Sequence, residues 1–172
     1  MEMLFSRHKQ KVFNYALRIL ANRADAEDIT SDVFVRLFDK NYQFRLGAKF
    51  TTWLFTVVRN ACIDCIRKRQ KTVSWWVKSD TSGELKEWVV EGASGTADEG
   101  LIQEEISSEI QKAMHKLPLN QKEALVLREF QDLSYQEISE IVQCSVENVK
   151  ILIFRGREQL RKELSSFMQE GY

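Results

Sequence analysis

With 172 residues, 44% of them hydrophobic, the chain is long enough for one ordinary domain or two small ones and too apolar for general disorder. No apolar run approaches bilayer-spanning length and the N-terminus, MEMLFSRHKQ, has no signal-peptide core, so a cytoplasmic protein without membrane insertion is expected. Twenty-five basic and 25 acidic side chains cancel to zero net charge, but they are segregated in blocks, and local blocks set local partners.

Residues 2 to 20 repeat apolar side chains at helical spacing (Phe5, Val12, Tyr15, Ala16, Ile19). Asn22 then offers an N-cap ahead of a second helix over 24–40, with Ile29, Val33, Phe34, Leu37 and Phe38 as its buried stripe. Its other face collects Asp25, Asp28, Asp32, Arg36 and Asp39. Such an acidic stripe serves either solubility or docking of a partner protein.

The stretch FRLGAKFTTWLFTVVRNACIDCIRKRQK, Phe44 to Lys71, reads as a polar loop over 43–49 feeding a third helix that ends in positive charge. At 100° per residue, Leu54, Val57, Val58, Ala61 and Cys65 share a face suited to burial. Lys49, Thr52, Thr56, Arg59, Asn60, Ile63, Arg67 and Gln70 lie opposite, mostly donors and cations with no carboxylate among them. Cations follow phosphates and aromatic or amide groups meet unstacked bases, so a single nucleic-acid strand suits this face; an ordinary solvated helix is the plainer alternative. Three mutually packed helices make a small all-α domain ending near Lys71.

From Thr72 to Gly100 periodicity disappears, and four of the seven glycines fall here. Between Asp80 and Glu109 nine acids stand against Lys86 alone, which describes an acidic flexible linker. Trp75, Trp76 and Trp88 are unusual in such a segment and fit either partner anchors or groups packed back on the helices. Helical spacing resumes at Leu101 and stops at Pro118. Asn120 with Glu123 suggests a capping box for a helix over 121–130, and Ser134 with Glu137 another for a helix through Val142. After a turn at Gln143-Cys144, Ser145 is placed to cap a last helix to about Phe167, with Val149, Ile153, Gly156, Leu160 and Leu164 inward and Gly156 marking a close crossing. Two helices, a tight turn and a longer basic helix make a helix-turn-helix.

In this order, the pieces resemble the extracytoplasmic-function sigma factors, the small promoter-recognition subunits of bacterial RNA polymerase, over nearly the whole chain. NRADAEDITSDVFVRLF is similar to that family's polymerase-docking segment, FRLGAKFTTWLFTVVRNACIDCIRKR to its minus-ten segment, and LPLNQKEALVLREFQDLSYQEISEIVQCSVENVKILIFRGREQLRKEL to its minus-thirty-five domain. The resemblance implies an all-α fold of two small helical domains, residues 1–71 and 101–172, joined by the acidic linker 72–100, the second domain a helix-turn-helix. It implies core RNA polymerase and promoter DNA as partners, the DNA both as duplex and as single non-template strand, with an anti-sigma protein expected as well.

By the same resemblance Asp25, Glu27, Asp28 and Asp32 would meet polymerase. Phe44, Arg45, Lys49, Thr52, Arg59, Asn60 and Arg67 would hold the minus-ten strand, while Phe50 and Trp53 either line its pocket or, as the resemblance favours, belong to the core. Ser145, Glu147, Asn148, Lys150, Arg155 and Arg157 would approach the minus-thirty-five duplex. Ser31 stands where a glutamine is usual in the family, Asn148 where a Thr is common, and Ile151 and Leu152 where Ser and Arg are frequent.

Two other classes compete. A metal or redox enzyme would use the C-x-x-C of Cys62 and Cys65, but no further ligands stand at zinc spacing; no enzyme activity, catalytic residue, cofactor or metal site is expected. Three cysteines also make no disulfide scaffold. A stand-alone helix-turn-helix regulator acting on duplex DNA would need only the C-terminal half and leaves residues 1–71 without a role.

Overall fold

The computed structural model describes residues 2–38, 49–76 and 108–170, and these form helices joined by short turns. In chain order they are α1 (Glu2–Leu20), α2 (Arg23–Phe38), α3 (Phe50–Trp76), α4 (108–115), α5 (Leu119–Glu129), α6 (Tyr135–Val142) and α7 (Val146–Glu170). The loop carrying Phe44 and Arg45 and the tryptophan-bearing acidic linker lie outside the described residues, apart from the last turn of α3.

α1 and α2 form a hairpin closed by local chemistry. Ala21 takes a left-handed backbone (φ 51°), and its amide returns to the Leu17 carbonyl at 2.9 Å. Asn22 Oδ1 then accepts the Asp25 amide at 3.0 Å, the cap expected from the sequence. Val12, Tyr15, Ala16 and Ile19 of α1 pack on Ala26, Ile29, Val33 and Phe34 of α2 and on Leu54, Phe55, Val58 and Cys62 of α3. Phe50 and Trp53 are partly buried against this core, as anticipated.

The C-terminal half is held by α5, α6 and α7. Ser134 and Glu137 make the full capping box at the start of α6. Gln143, left-handed at φ 60° and ψ 48°, ends that helix, and Ser145 Oγ accepts the Asn148 amide at 3.2 Å to begin α7. Ala124 to Leu127, Ile138, Ile141, Val149, Leu152 and Ile153 form the core of this half. Gly156 faces α5 closely: a Cβ there would stand 3.5 Å from the Gln121 carbonyl oxygen.

Three sequence expectations need correction. α3 is buried on two sides, because α1 and α2 cover one and α6 comes against another. Thr52, assigned to the open polar face, is therefore 5% exposed. For the same reason Cys62 rather than Cys65 is the core thiol, and Cys65 is only half-buried, its Sγ 3.5 Å from Asp25 Oδ2. The capping box of Asn120 and Glu123 does not form. Pro118 occupies the cap of α5 without a side-chain bond, Asn120 Oδ1 accepts the Gln121 amide, and Glu123 is turned inward to another task.

That task joins the two halves. Their buried side chains form one continuous cluster, with α1 against α5 and α3 against α6. At this junction Arg59 Nη2 donates to Glu123 Oε2 at 3.1 Å, and the Arg18 guanidinium lies 3.9 Å from the centre of the Phe130 ring.

Candidate nucleic-acid and polymerase interfaces

Three surfaces hold the residues singled out from the sequence. The first is the outer face of α7. Its buried stripe of Val149, Leu152, Ile153 and Gly156 turns the opposite side outward, and Glu147, Asn148, Lys150 and Arg155 are exposed there. Ser145 is exposed but spends its oxygen on the helix cap. Hydrogen bonds from Glu147's own backbone and from Ser145 hold the Glu147 carboxyl below its ordinary pKa, so it is an acceptor at neutral pH. Arg157 is exposed too, yet its Nε donates to Glu129 Oε1 of α5 at 3.1 Å, and that pairing raises its pKa further. Leu152 is core, so of the three family departures on this helix Asn148 and Ile151 face outward.

The second surface is α3 with the residue before it. Asn60 and Arg67 are exposed, Arg67 lying 3.8 Å from Asp64 one turn back. Lys49 and Arg59 are engaged by carboxylates of the C-terminal half. Lys49 Nζ sits 3.1 Å from Glu137 Oε1, and Arg59, 15% exposed, meets the nearly inaccessible Glu123. The Tyr15 hydroxyl, Arg59 Nε and Glu123 Oε1 at the second pair lack protein hydrogen-bond partners, as does Thr52 Oγ1 two turns earlier on α3. Burial raises the pKa of Glu123 while Arg59 opposes the rise. A polar junction left partly unsatisfied is a costly way to hold two surfaces together.

The third surface is the outer face of α2. Glu27, Asp28 and Asp32 are exposed, Glu27 pairing with Arg23 at 2.9 Å. Asp25 behaves differently: it is half-buried, pairs with Arg69 and ties α2 to α3. About one turn beyond Asp32, on the same side of the helix as Asp28 and Asp32, stands Val35, 68% exposed. Sequence reasoning passed over Val35 because it interrupts no polar run; its place three residues beyond Asp32 was the available signal.

A family model described as Sigma-70 region 2 matches residues 4–72, and one described as Sigma-70, region 4 matches residues 107–160. The chain is 33% identical over 162 residues to the ECF RNA polymerase sigma factor SigW of Bacillus subtilis, spanning 91% of this chain and 84% of that protein. The chain belongs to the ECF sigma factor family. Among other relatives of this sigma factor, the RNA polymerase sigma-H factor of Pseudomonas aeruginosa is 27% identical, with 99% of this chain and 89% of that one covered. The fold matches the sigma factor RpoE of Bartonella quintana, solved in complex with the anti-sigma factor NepR, with a TM-score of 0.76 at 21% identity, covering 95% of this chain and 96% of that one. The α1–α3 half thus corresponds to region 2, and α4 to α6 with the first part of α7, to residue 160, fall in the segment matched by region 4.

No group of three or more potential metal ligands occurs among the described residues, at the C-x-x-C motif or elsewhere. Nor is any described helix long and apolar enough to cross a membrane.

Proposed function

We propose that this ECF sigma factor divides promoter recognition among the three surfaces. It binds core RNA polymerase, recognises the minus-ten and minus-thirty-five promoter elements and promotes melting for initiation. Residues 1–71 dock on polymerase and hold the opened non-template strand, 101–172 read the upstream duplex, and the acidic segment 72–100 links them. On the docking face Glu27, Asp28 and Asp32 act with Val35 as an apolar contact among carboxylates, whereas Asp25 serves the internal packing of α2 on α3. On the minus-ten face Asn60, Arg59, Lys49 and Arg67 meet the strand, joined by Phe44 and Arg45 from the preceding loop; Thr52 supports them from within. On α7, Asn148, Lys150 and Arg155 approach base edges and phosphates, Glu147 adds an acceptor, and Arg157 reaches DNA only by leaving Glu129.

One observation carries this reading: two of the cations assigned to the minus-ten strand are neutralised by carboxylates of the C-terminal half, Lys49 by Glu137 and Arg59 by Glu123. Carboxylates occupy the place that phosphates would take, so strand capture requires α5 and α6 to move off α3. Unstacking bases costs a few kcal/mol per step, and these cations supply part of the compensation once freed. The protein acts in the cytoplasm, where polymerase is found, and an anti-sigma protein is a natural further partner for a factor whose two halves close on each other.

Reconstitution with core polymerase and a promoter library tests the reading. Specific initiation should require the protein, and Arg59→Ala or Asn60→Ala should impair open-complex formation while sparing polymerase binding. Tight binding to a duplex operator with no dependence on polymerase would instead identify a stand-alone helix-turn-helix regulator.

A further inference from the structure

The exposed face of α7 carries two large apolar side chains that the contacts proposed above do not use. Ile151 is 47% exposed and Phe154 is 65% exposed. Three residues apart, they lie side by side along the helix, opposite the buried stripe of Val149, Ile153 and Gly156. Asn148, Lys150 and Arg155 are exposed around them. Isolated apolar residues on a surface need no explanation, but an adjacent pair centred on the outward face of a recognition helix, flanked by the donors Asn148, Lys150 and Arg155 and by the Glu147 carboxylate, points to a ligand that is apolar at its centre and carries phosphates and both donors and acceptors around it.

Duplex DNA offers one such target. Base edges in the major groove present donors and acceptors, and the thymine C5 methyl is the apolar group among them. In a helix-turn-helix the N-terminal part of the second helix meets the base edges, and Ile151 is the sixth residue of α7 as Val146 is the first. We propose that Ile151, with Phe154 beside it, reads thymine methyl groups in the upstream element, making these two residues determinants of sequence preference while Lys150 and Arg155 supply affinity to the backbone. The inference rests on α7 being the minus-thirty-five reader and adds which base chemistry it selects.

The test uses holoenzyme reconstituted from core polymerase and the full chain. A minus-thirty-five element is selected from a randomised duplex, and each thymine is then replaced singly by deoxyuridine, which removes the methyl and keeps the pairing. Wild-type holoenzyme should bind about 3- to 5-fold more weakly at one or two of these positions, the effect of losing one buried methyl. Ile151→Ser should weaken binding to the thymine duplex by a similar factor and bind thymine and uracil forms alike at that position. Phe154→Ser should do so at a neighbouring position. Unchanged thermal melting of both variants checks that the fold is intact.

Equal wild-type affinity for every thymine and uracil pair, or a selected element without thymine, overturns the inference and leaves upstream reading by α7 standing. So does discrimination that survives both substitutions. Loss of core polymerase binding in the Ser variants, with the thymine-to-uracil ratio unchanged, would assign the strip to a protein contact and also overturn it. A selection returning no preferred upstream sequence would remove the minus-thirty-five reading itself, and this inference with it.

Discussion

Arg59 of α3 and Glu123 of α5, 64 residues apart in sequence, form an ion pair at 3.1 Å in which the carboxylate is almost wholly enclosed and the guanidinium nearly so. Removing one partner of a buried pair costs about 3–5 kcal/mol because the other charge stays desolvated. Here the chain has a way to avoid that cost, which is to let the halves part. Glu123→Ala should therefore raise the radius of gyration in solution scattering and strengthen binding of a single-stranded minus-ten oligonucleotide. A variant as compact as wild type, with the same oligonucleotide affinity, would contradict this account.

The two junction carboxylates should respond to pH in opposite senses. Burial raises the pKa of Glu123 in the closed chain. Its contribution is then complete below the ordinary glutamate value of about 4.3 and fades as pH rises through the raised value. The Glu137 pKa is lowered, first by the Ser134 hydroxyl and amide and then by Lys49. Its contribution is present above the ordinary value and is lost as pH falls through the lowered one. Urea unfolding from about pH 3 to about pH 8 should show Glu123→Gln flattening the upper limb and Glu137→Gln the lower.

On the docking face, Val35→Ser should weaken polymerase association by roughly tenfold, since fully burying a valine is worth about 1.5 kcal/mol or more. Asp28→Ala combined with Asp32→Ala should weaken it too, in a manner that high salt masks. Titration of labelled core polymerase measures both, and unchanged affinity in all variants would move the docking face elsewhere.

Gly156→Ala should be tolerated or stabilising. The new methyl would meet the Gln121 oxygen at 3.5 Å and Leu125 Cδ2 at 3.7 Å, ordinary contact distances. Alanine in place of glycine inside a helix favours the fold by up to about 1 kcal/mol, visible as a melting temperature higher by a few degrees. Gly156→Leu should push α5 away and lower it.

What the sequence made legible was local. The Asn22 cap, the Ser134–Glu137 box and the Ser145 cap each depend on a few neighbouring residues, and all three form. Glu123 shows the limit of that logic: three residues after an asparagine it has the spacing of a capping box, yet its carboxylate is spent on a partner 64 residues away. Thr52 and Arg59 were assigned to an open face because helical period locates one buried stripe, and α3 has a second that only the packing of α6 creates. Val35 escaped notice since a lone valine beside a true core stripe carries no periodic signature.

Cys62 lies fully enclosed in α3, and burial first, then Cys65 and Glu123, drive its thiol pKa far above the ordinary range. Its sulfur is accordingly inert to alkylating reagents while the molecule stays shut. Half-buried Cys65 and Cys144 should react first, and the slow third modification that follows is then a clock. Its rate reports how often the packing around α3 opens, with no probe engineered into the chain.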